Sequence, residues 1–283
     1  MKIAVASGKG GTGKTTIAVN MALSVDFPVT LVDADVEEPN GIFFLPLELH
    51  ESGKVTIREP VVNTSRCTSC GACAKACRFN AIAITPKGAM IFPELCHACG
   101  GCFMACREGA ITERERIIGS ISKGNSKNLS FVQGELNVGE ALAPPVIREA
   151  KKNADDTSLV IIDSPPGTAC PMVAAVSDTD YVILVTEPTP FGLNDLKLAV
   201  ETVRTLGRPF GVVINRDGIG DEGVRDYCAS EGIEIIGVVP DDRAVAEHYS
   251  RGIPAAVFSS EYKTLFREIL RKAAERMNQK ESL

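Results

Sequence analysis

The chain has 283 residues, 45% of them apolar, yet no apolar run reaches the roughly 18–20 residues of a membrane span. Its net charge of −6 argues against general nucleic-acid binding, and the start lacks the apolar stretch of an export signal, so a cytoplasmic location is expected. Ten cysteines are present and eight fall between Cys67 and Cys106, a density that a reducing cytosol does not keep as disulfides and that points to a metal cofactor.

In chain order, residues 2–7 read as a buried strand, and a glycine-rich loop follows directly. Residues 15–24 then read as a helix and 29–33 as a second strand, closed by Asp33-Ala34-Asp35. Residues 56–116 break this rhythm: they are rich in Cys and Gly, and the stretch from Cys67 repeats from Cys96 at an offset of 29 residues. Beyond them, strands are expected at 159–163, 181–186, 210–215 and 233–239. Helices are expected at 145–153, 193–206, 222–230, 241–251 and 261–277. Short β-branched strands alternating with amphipathic helices predict an α/β fold, a parallel sheet covered on both faces. The cysteine segment 56–116 is then a small domain inserted into a larger one made of 1–55 and 117–283. The stripe Tyr262, Phe266, Ile269, Ala273 and Met277 on the last helix fits a core helix better than a membrane anchor.

The loop Gly8-Lys9-Gly10-Gly11-Thr12-Gly13-Lys14-Thr15-Thr16 satisfies G-x-x-x-x-G-K-[ST], the phosphate-binding loop. Glycines let backbone N–H groups turn in around phosphate oxygens, and the helix that follows adds the positive end of its dipole. In that reading Lys14 reaches the β- and γ-phosphates and the Thr15 hydroxyl ligates Mg²⁺. Gly8, Gly10 and Gly13 also satisfy the dinucleotide pattern G-x-G-x-x-G, with Asp33 twenty residues on. That pattern explains the glycines but gives Lys14, Thr15 and Thr16 no task.

Lys9, directly after the first glycine, makes the loop resemble the deviant Walker A motif of the MinD/Mrp family of P-loop ATPases, which also includes ParA and the nitrogenase iron protein. The resemblance implies a homodimer that sandwiches ATP, with Lys9 reaching the partner's nucleotide. There it would place positive charge where γ-phosphate charge develops. It further implies that Asp35 positions the attacking water and Asp33 supports the phosphate and magnesium network. Asp163-Ser164-Pro165-Pro166-Gly167-Thr168 resembles the family's switch II segment, so Asp163 is expected to hold Mg²⁺ through water and Gly167 to sense γ-phosphate. Asn215 matches the residue that reads the adenine edge, and Pro240 and Asp241 lie where a loop packs beside the base.

The cysteines form two C-x₂-C-x₂-C-x₃-C runs, at 67, 70, 73, 77 and at 96, 99, 102, 106. Zinc sites usually pair two C-x₂-C elements instead. The spacing resembles the bacterial two-cluster ferredoxin, whose runs exchange their fourth cysteines. It implies one [4Fe–4S] cluster on Cys67, Cys70, Cys73 and Cys106 and a second on Cys96, Cys99, Cys102 and Cys77. Arg78 and Arg107 stand where that pattern usually has proline. Cys170 and Cys228 are left over, Cys170 read as a small buried residue and His97 as a donor near sulfur. Two functions follow as expectations. In one, ATP turnover gates electron transfer from the clusters to a protein partner; in the other, the chain delivers clusters or metal to client apoproteins. The absence of a late C-P-x-C pair in the carboxyl half favours the first.

Overall fold

A computed structural model describes residues 1–154 and 159–280 of the chain. The first half runs β1 (Lys2–Ala6), α1 (Lys14–Ser24), β2 (Val29–Asp33), β3 (His50–Val62), α2 (Ala72–Ala76), β4 (Ile82–Thr85), β5 (Gly88–Ile91), α3 (Gly101–Ala105), β6 (Ile111–Ser126) and β7 (Leu129–Leu136). It continues through α4 (Ala143–Lys152), β8 (Leu159–Asp163), α5 (Cys170–Val176), β9 (Tyr181–Thr186), α6 (Pro190–Thr205) and β10 (Phe210–Asp217). It closes with α7 (Gly223–Ser230), β11 (Ile235–Pro240), α8 (Arg243–Tyr249), α9 (Ala255–Phe258) and α10 (Ser260–Lys280). No helix among the described residues is long and apolar enough to cross a membrane.

Nine strands form one sheet in the order β11-β10-β9-β1-β8-β2-β7-β6-β3. From β11 to β7 every neighbouring pair is parallel, whereas β6 runs antiparallel to both β7 and β3. The expected parallel α/β sheet is therefore present, extended by an antiparallel edge. Successive side chains of a strand point to opposite faces. In β1, Ile3 and Val5 pack with α1 and α10 (Ile17, Phe266), while Ala4 and Ala6 pack with α4 to α6 (Val146, Ala175, Leu196).

The strands of the sheet centre match the expected ranges closely, because each is a continuous apolar run buried on both faces. The edge differs. β3 and β6 continue across residues 56 and 116, pairing from His50↔Lys123 to Val62↔Ile111 with register shifts at Glu51/Gly53 and Val55/Thr56, so the cysteine segment grows from two strands of the main sheet. Their charge-rich sequences, with Pro60 tolerated because β3 is an edge strand, carry no continuous apolar run to announce them. Helix α6 starts at Pro190 rather than 193, since Thr189 caps it by accepting from the Gly192 N–H (3.0 Å) and proline suits the first turn. Helix α8 starts at Arg243 rather than 241, because Asp242 caps it through the Ala244 N–H at 2.8 Å.

Candidate functional site

The glycine-rich loop leaves the C-terminal end of β1, in the middle of the sheet, where open α/β sheets bind ligands. Gly13 takes a left-handed conformation (φ 90°) at the start of α1, and Lys14, the helix's first residue, is buried. The Asn215 carboxamide nitrogen at the end of β10 donates to the Thr12 carbonyl (2.9 Å), clamping the loop. One N–H of that carboxamide is thereby used on the loop backbone, which leaves its second N–H and its oxygen for other partners.

A cleft of about 430 Å³ opens beside this loop. Its walls include Gly10, Gly11, Gly13, Lys14, Thr15, Thr16, Asp35, Asn215, Pro240 and Asp241, all expected from the sequence. Gly8, Lys9, Thr12, Asp33, Asp163 and Gly167 are absent from that wall. Tyr249, Tyr262 and Phe266 also line it, as does Asp242, which accepts from the Tyr262 hydroxyl at 2.8 Å. Sequence reasoning missed these; an aspartate capping the helix after β11 was the available signal for Asp242.

Three carboxylates gather at the strand ends. Register pairs Asp33 with Asp163 across β2 and β8. Asp33 accepts from the Gly41, Asn40 and Asp35 N–H groups at 2.9, 3.1 and 3.2 Å, folding the following loop around itself. Burial pushes its carboxyl up to about 7 against those hydrogen bonds. Burial likewise raises Asp35 to about 6, opposed by the Lys14 charge. Asp163 lies well above the usual carboxylate range through burial and the neighbouring Asp33 charge, while burial lowers Lys14. Among the described residues no well-aligned hydrogen bond reaches either Asp163 carboxylate oxygen or the Thr12 hydroxyl, although the Thr15 side chain lies close enough to Asp163 to oppose the rise of its carboxyl. Buried, unpaired oxygens facing a lysine suit a hydrated divalent cation, so the residues fit Mg²⁺.

Lys9 does not line the cleft; its ammonium lies 4.0 Å from Glu187 and 3.9 Å from Asp195 of the same chain. Arg216 also reaches Glu187, at 2.9 Å. The Gly167 N–H, at φ 88°, donates to the Ser7 carbonyl (3.1 Å). Cys170 is exposed, not the buried residue the sequence led one to expect, because it starts α5 at the surface; Cys228 is buried.

The cysteine segment repeats in three dimensions. Ser69 and Ala98, Gly71 and Gly100, and Asn80 and Gly109, each 29 residues apart, share left-handed backbone at φ 55/52°, 77/73° and 53/56°. The pairs Ile82↔Ile91 and Thr85↔Gly88 in β4–β5 recur as Ile111↔Val62 and Arg114↔Glu59 in β6–β3. Two cavities result. Cys67, Cys70, Cys73 and Cys106 line one; Cys77, Cys96, Cys99 and Cys102 line the other. The second also includes Pro60 and Glu113 of the strands leading from the main sheet, so it is proximal to the α/β body and the first is distal.

Backbone amides of Ala81 and Ala98 donate to Cys77 and Cys96 in the proximal cavity, both at 3.4 Å. Those of Ala89 and Ala110 donate to Cys67 and Cys106 in the distal one, at 3.4 and 3.3 Å. His97 stacks on Phe79, centroids 3.7 Å apart, in the wall of the proximal cavity. Among the described residues no three His, Cys, Asp or Glu side chains draw together to hold a single metal ion. Four thiols standing around a cavity, with amides aimed at sulfur, instead fit the corners of a cubane.

Residues 3–255 match the CobQ/CobB/MinD/ParA nucleotide-binding domain. The chain is 36% identical over 225 residues to protein MJ0578 of Methanocaldococcus jannaschii, covering 78% of this chain and 80% of that one. It is 24% identical to the iron-sulfur cluster carrier protein of the same organism, covering 99% of this chain and 86% of that one. Among solved structures, the septum site-determining protein MinD complexed with Mg-ADP from Pyrococcus horikoshii shares the fold, with TM-score 0.59 and 20% identity over 96% of this chain and 94% of that chain.

Proposed function

The chain belongs to the CobQ/CobB/MinD/ParA nucleotide-binding family, and on that premise we propose that it is a dimeric ATPase whose inserted ferredoxin domain, residues 56–116, passes electrons to a protein partner under control of the nucleotide. The observation that carries the redox part is the crossing of the cysteines. Each cavity takes three from one repeat and one from the other. Removing either cluster would break ligation in both repeats at once, an arrangement suited to retention rather than release. Bound there, [4Fe–4S] clusters supply one-electron transfer.

In this reading Lys14 holds the β- and γ-phosphates, the glycine-loop amides cradle them, and Thr15 with Asp163 holds the Mg²⁺. Asp35, whose carboxyl lies near 6, is ionised at neutral pH and orients the attacking water. Lys9 leaves Glu187 and Asp195 to reach the partner subunit's nucleotide, and Gly167 exchanges the Ser7 carbonyl for a phosphate oxygen. Asn215, Pro240 and Asp241 surround the base.

Cluster delivery to apoproteins is the second reading, favoured by the cluster carrier proteins among the relatives. One experiment separates the two. Reduced, iron-loaded protein is mixed with ATP and an apo-acceptor. Gating of electron transfer predicts reduction of a redox acceptor with the donor's iron retained; iron appearing in the acceptor at the donor's expense would replace the first reading with the second.

A further inference from the structure

We infer that the nucleotide switch is tied to the proximal cysteine cavity and not to the distal one, through helix α4 held at both ends. Lys151 fixes its C-terminal end to α5, and Glu140, through Arg116, fixes its N-terminal end to Glu59 beside the cavity. The inference deepens the functional reading above and rests on it.

At the switch end, the Gly167 N–H is engaged by the Ser7 carbonyl, and α5 begins three residues later at Cys170. In the reading above that amide reaches a phosphate only by leaving Ser7, which gives the loop a second arrangement, and α5, three residues on, is the element placed to follow it. The last carbonyls of a helix have no partner within it. Here Lys151 supplies one: its ammonium donates to Ala174 and Ala175 at 2.8 and 2.6 Å, and to the Asp178 carboxylate. A lysine has three donors, all used here. Lys151 is buried, so letting go of α5 would strand polar groups away from water.

Helix α4 has ten residues, about 15 Å of rigid rod, with Val146, Ile147 and Ala150 fully buried in the core. Just before its other end, Glu140 binds the Arg116 guanidinium, whose Nε lies 2.7 Å from Glu59 Oε2 as a buried ion pair without hydrogen-bond alignment. Glu59 is itself buried, and Arg114 reaches its other oxygen at 2.5 Å. The next residue, Pro60, forms the proximal cavity's wall together with its ladder partner Glu113.

Two further contacts join the same bodies. A cleft is shared by Cys96, His97, Arg116, Glu140 and Leu142, and Ala98 packs against the core that α4 helps to build. The distal cavity is walled, among the described residues, by 67–73, Ile84, Ala89, Cys106, Glu108, Ala110 and Ile111; it meets β6 only at that strand's first residue, beyond Glu113 and away from the ion pairs at Glu59, Arg116 and Glu140.

Hydrogen exchange on the full chain, with and without the ATP analogue AMPPNP and Mg²⁺, tests this at the four amides that donate to sulfur. Ala81 and Ala98 report the proximal cavity; Ala89 and Ala110 report the distal one. Nucleotide is expected to change exchange at the first pair by roughly 2- to 30-fold, the range of energetic coupling between linked sites, and to leave the second pair unchanged. Arg116→Gln and Lys151→Met should each remove that response without altering nucleotide affinity. An equal response at both cavities, none at either while nucleotide binds, or one that survives Arg116→Gln overturns the inference. Should Lys151→Met fail to fold, Arg116→Gln decides alone. Iron and sulfide assayed on the same samples report separately on the cluster reading: their absence would end that reading, while the exchange data still decide the coupling.

Discussion

Asp35 illustrates how the site sets itself against the fold. Its carboxyl is pushed from 3.8 to about 6 by burial. The folded chain therefore holds a proton that the unfolded chain has released between about pH 4 and pH 6, and stability falls as pH rises through that window. Asp35→Asn removes the cost, so the nucleotide-free variant should gain roughly 1–2 kcal/mol over the parent at pH 8, with solvent screening allowed for, and nothing below about pH 4. Urea unfolding of both proteins at pH 5 and pH 8 checks this; an equal gain at both would remove titration as the cause. The same variant should fail to hydrolyse ATP. Lys9 sits at the other extreme, partly exposed and held about 4 Å from two acids of its own chain. If it acts across the dimer, Lys9→Ala should lower hydrolysis by about 10³-fold or more, as loss of an arginine finger does, with nucleotide binding little changed. Turnover rates beside a nucleotide titration decide it.

At the scale of elements, the glycine loop shows two reasons for glycine. A methyl group on Gly8 would meet the Asp195 carbonyl of α6 at 2.1 Å, so this glycine lets helix and loop touch. One on Gly10 would meet no atom within 4 Å, so packing does not require glycine there; if the loop holds phosphate, the added methyl takes up that space instead. Gly8→Ala should thus destabilise the fold by about 1–3 kcal/mol. Gly10→Ala should leave the melting temperature unchanged while weakening ADP binding. Thermal melts and ADP titrations of both variants test the pair; equal melting losses would contradict the assignment. The loop motif was legible in the sequence because its spacing is local, but the pressure of α6 on Gly8 was not, since Asp195 is 187 positions away.

Across the whole molecule, the crossed cysteines link two repeats into one unit, and that crossing is open to a direct count. If Cys77 and Cys96 serve one cluster, the double variant Cys77→Ala/Cys96→Ala should keep about four of eight irons per chain, whereas Cys77→Ala/Cys67→Ala should lose nearly all. Uncrossed runs would reverse the two results. The repeat also explains how a segment so poor in aliphatic residues is ordered: its core is Cys73, Ile82, Ala89, Cys102 and Ile111, with cysteines among its buried members. Burial pushes the Cys73 and Cys102 thiols up, so loading with metal must displace their protons.

The sequence by itself determined the parts that rest on neighbours in the chain. These are the phosphate loop, the fully apolar strands of the sheet centre, the amphipathic helices, and the cysteine spacing with its 29-residue offset. Tertiary structure alone decided what depends on distant residues meeting. Register brought Asp33 beside Asp163. Packing set Lys9 against Glu187 and Asp195, Asn215 against Thr12, and Tyr249 and Tyr262 into the cleft wall. It also made β3 and β6 into strands shared by sheet and cysteine segment. β3 at the sheet edge and β6 beside it carry no continuous apolar run, so the pattern that marks the buried central strands does not mark them; their partners across the ladder supply what their own sequence does not.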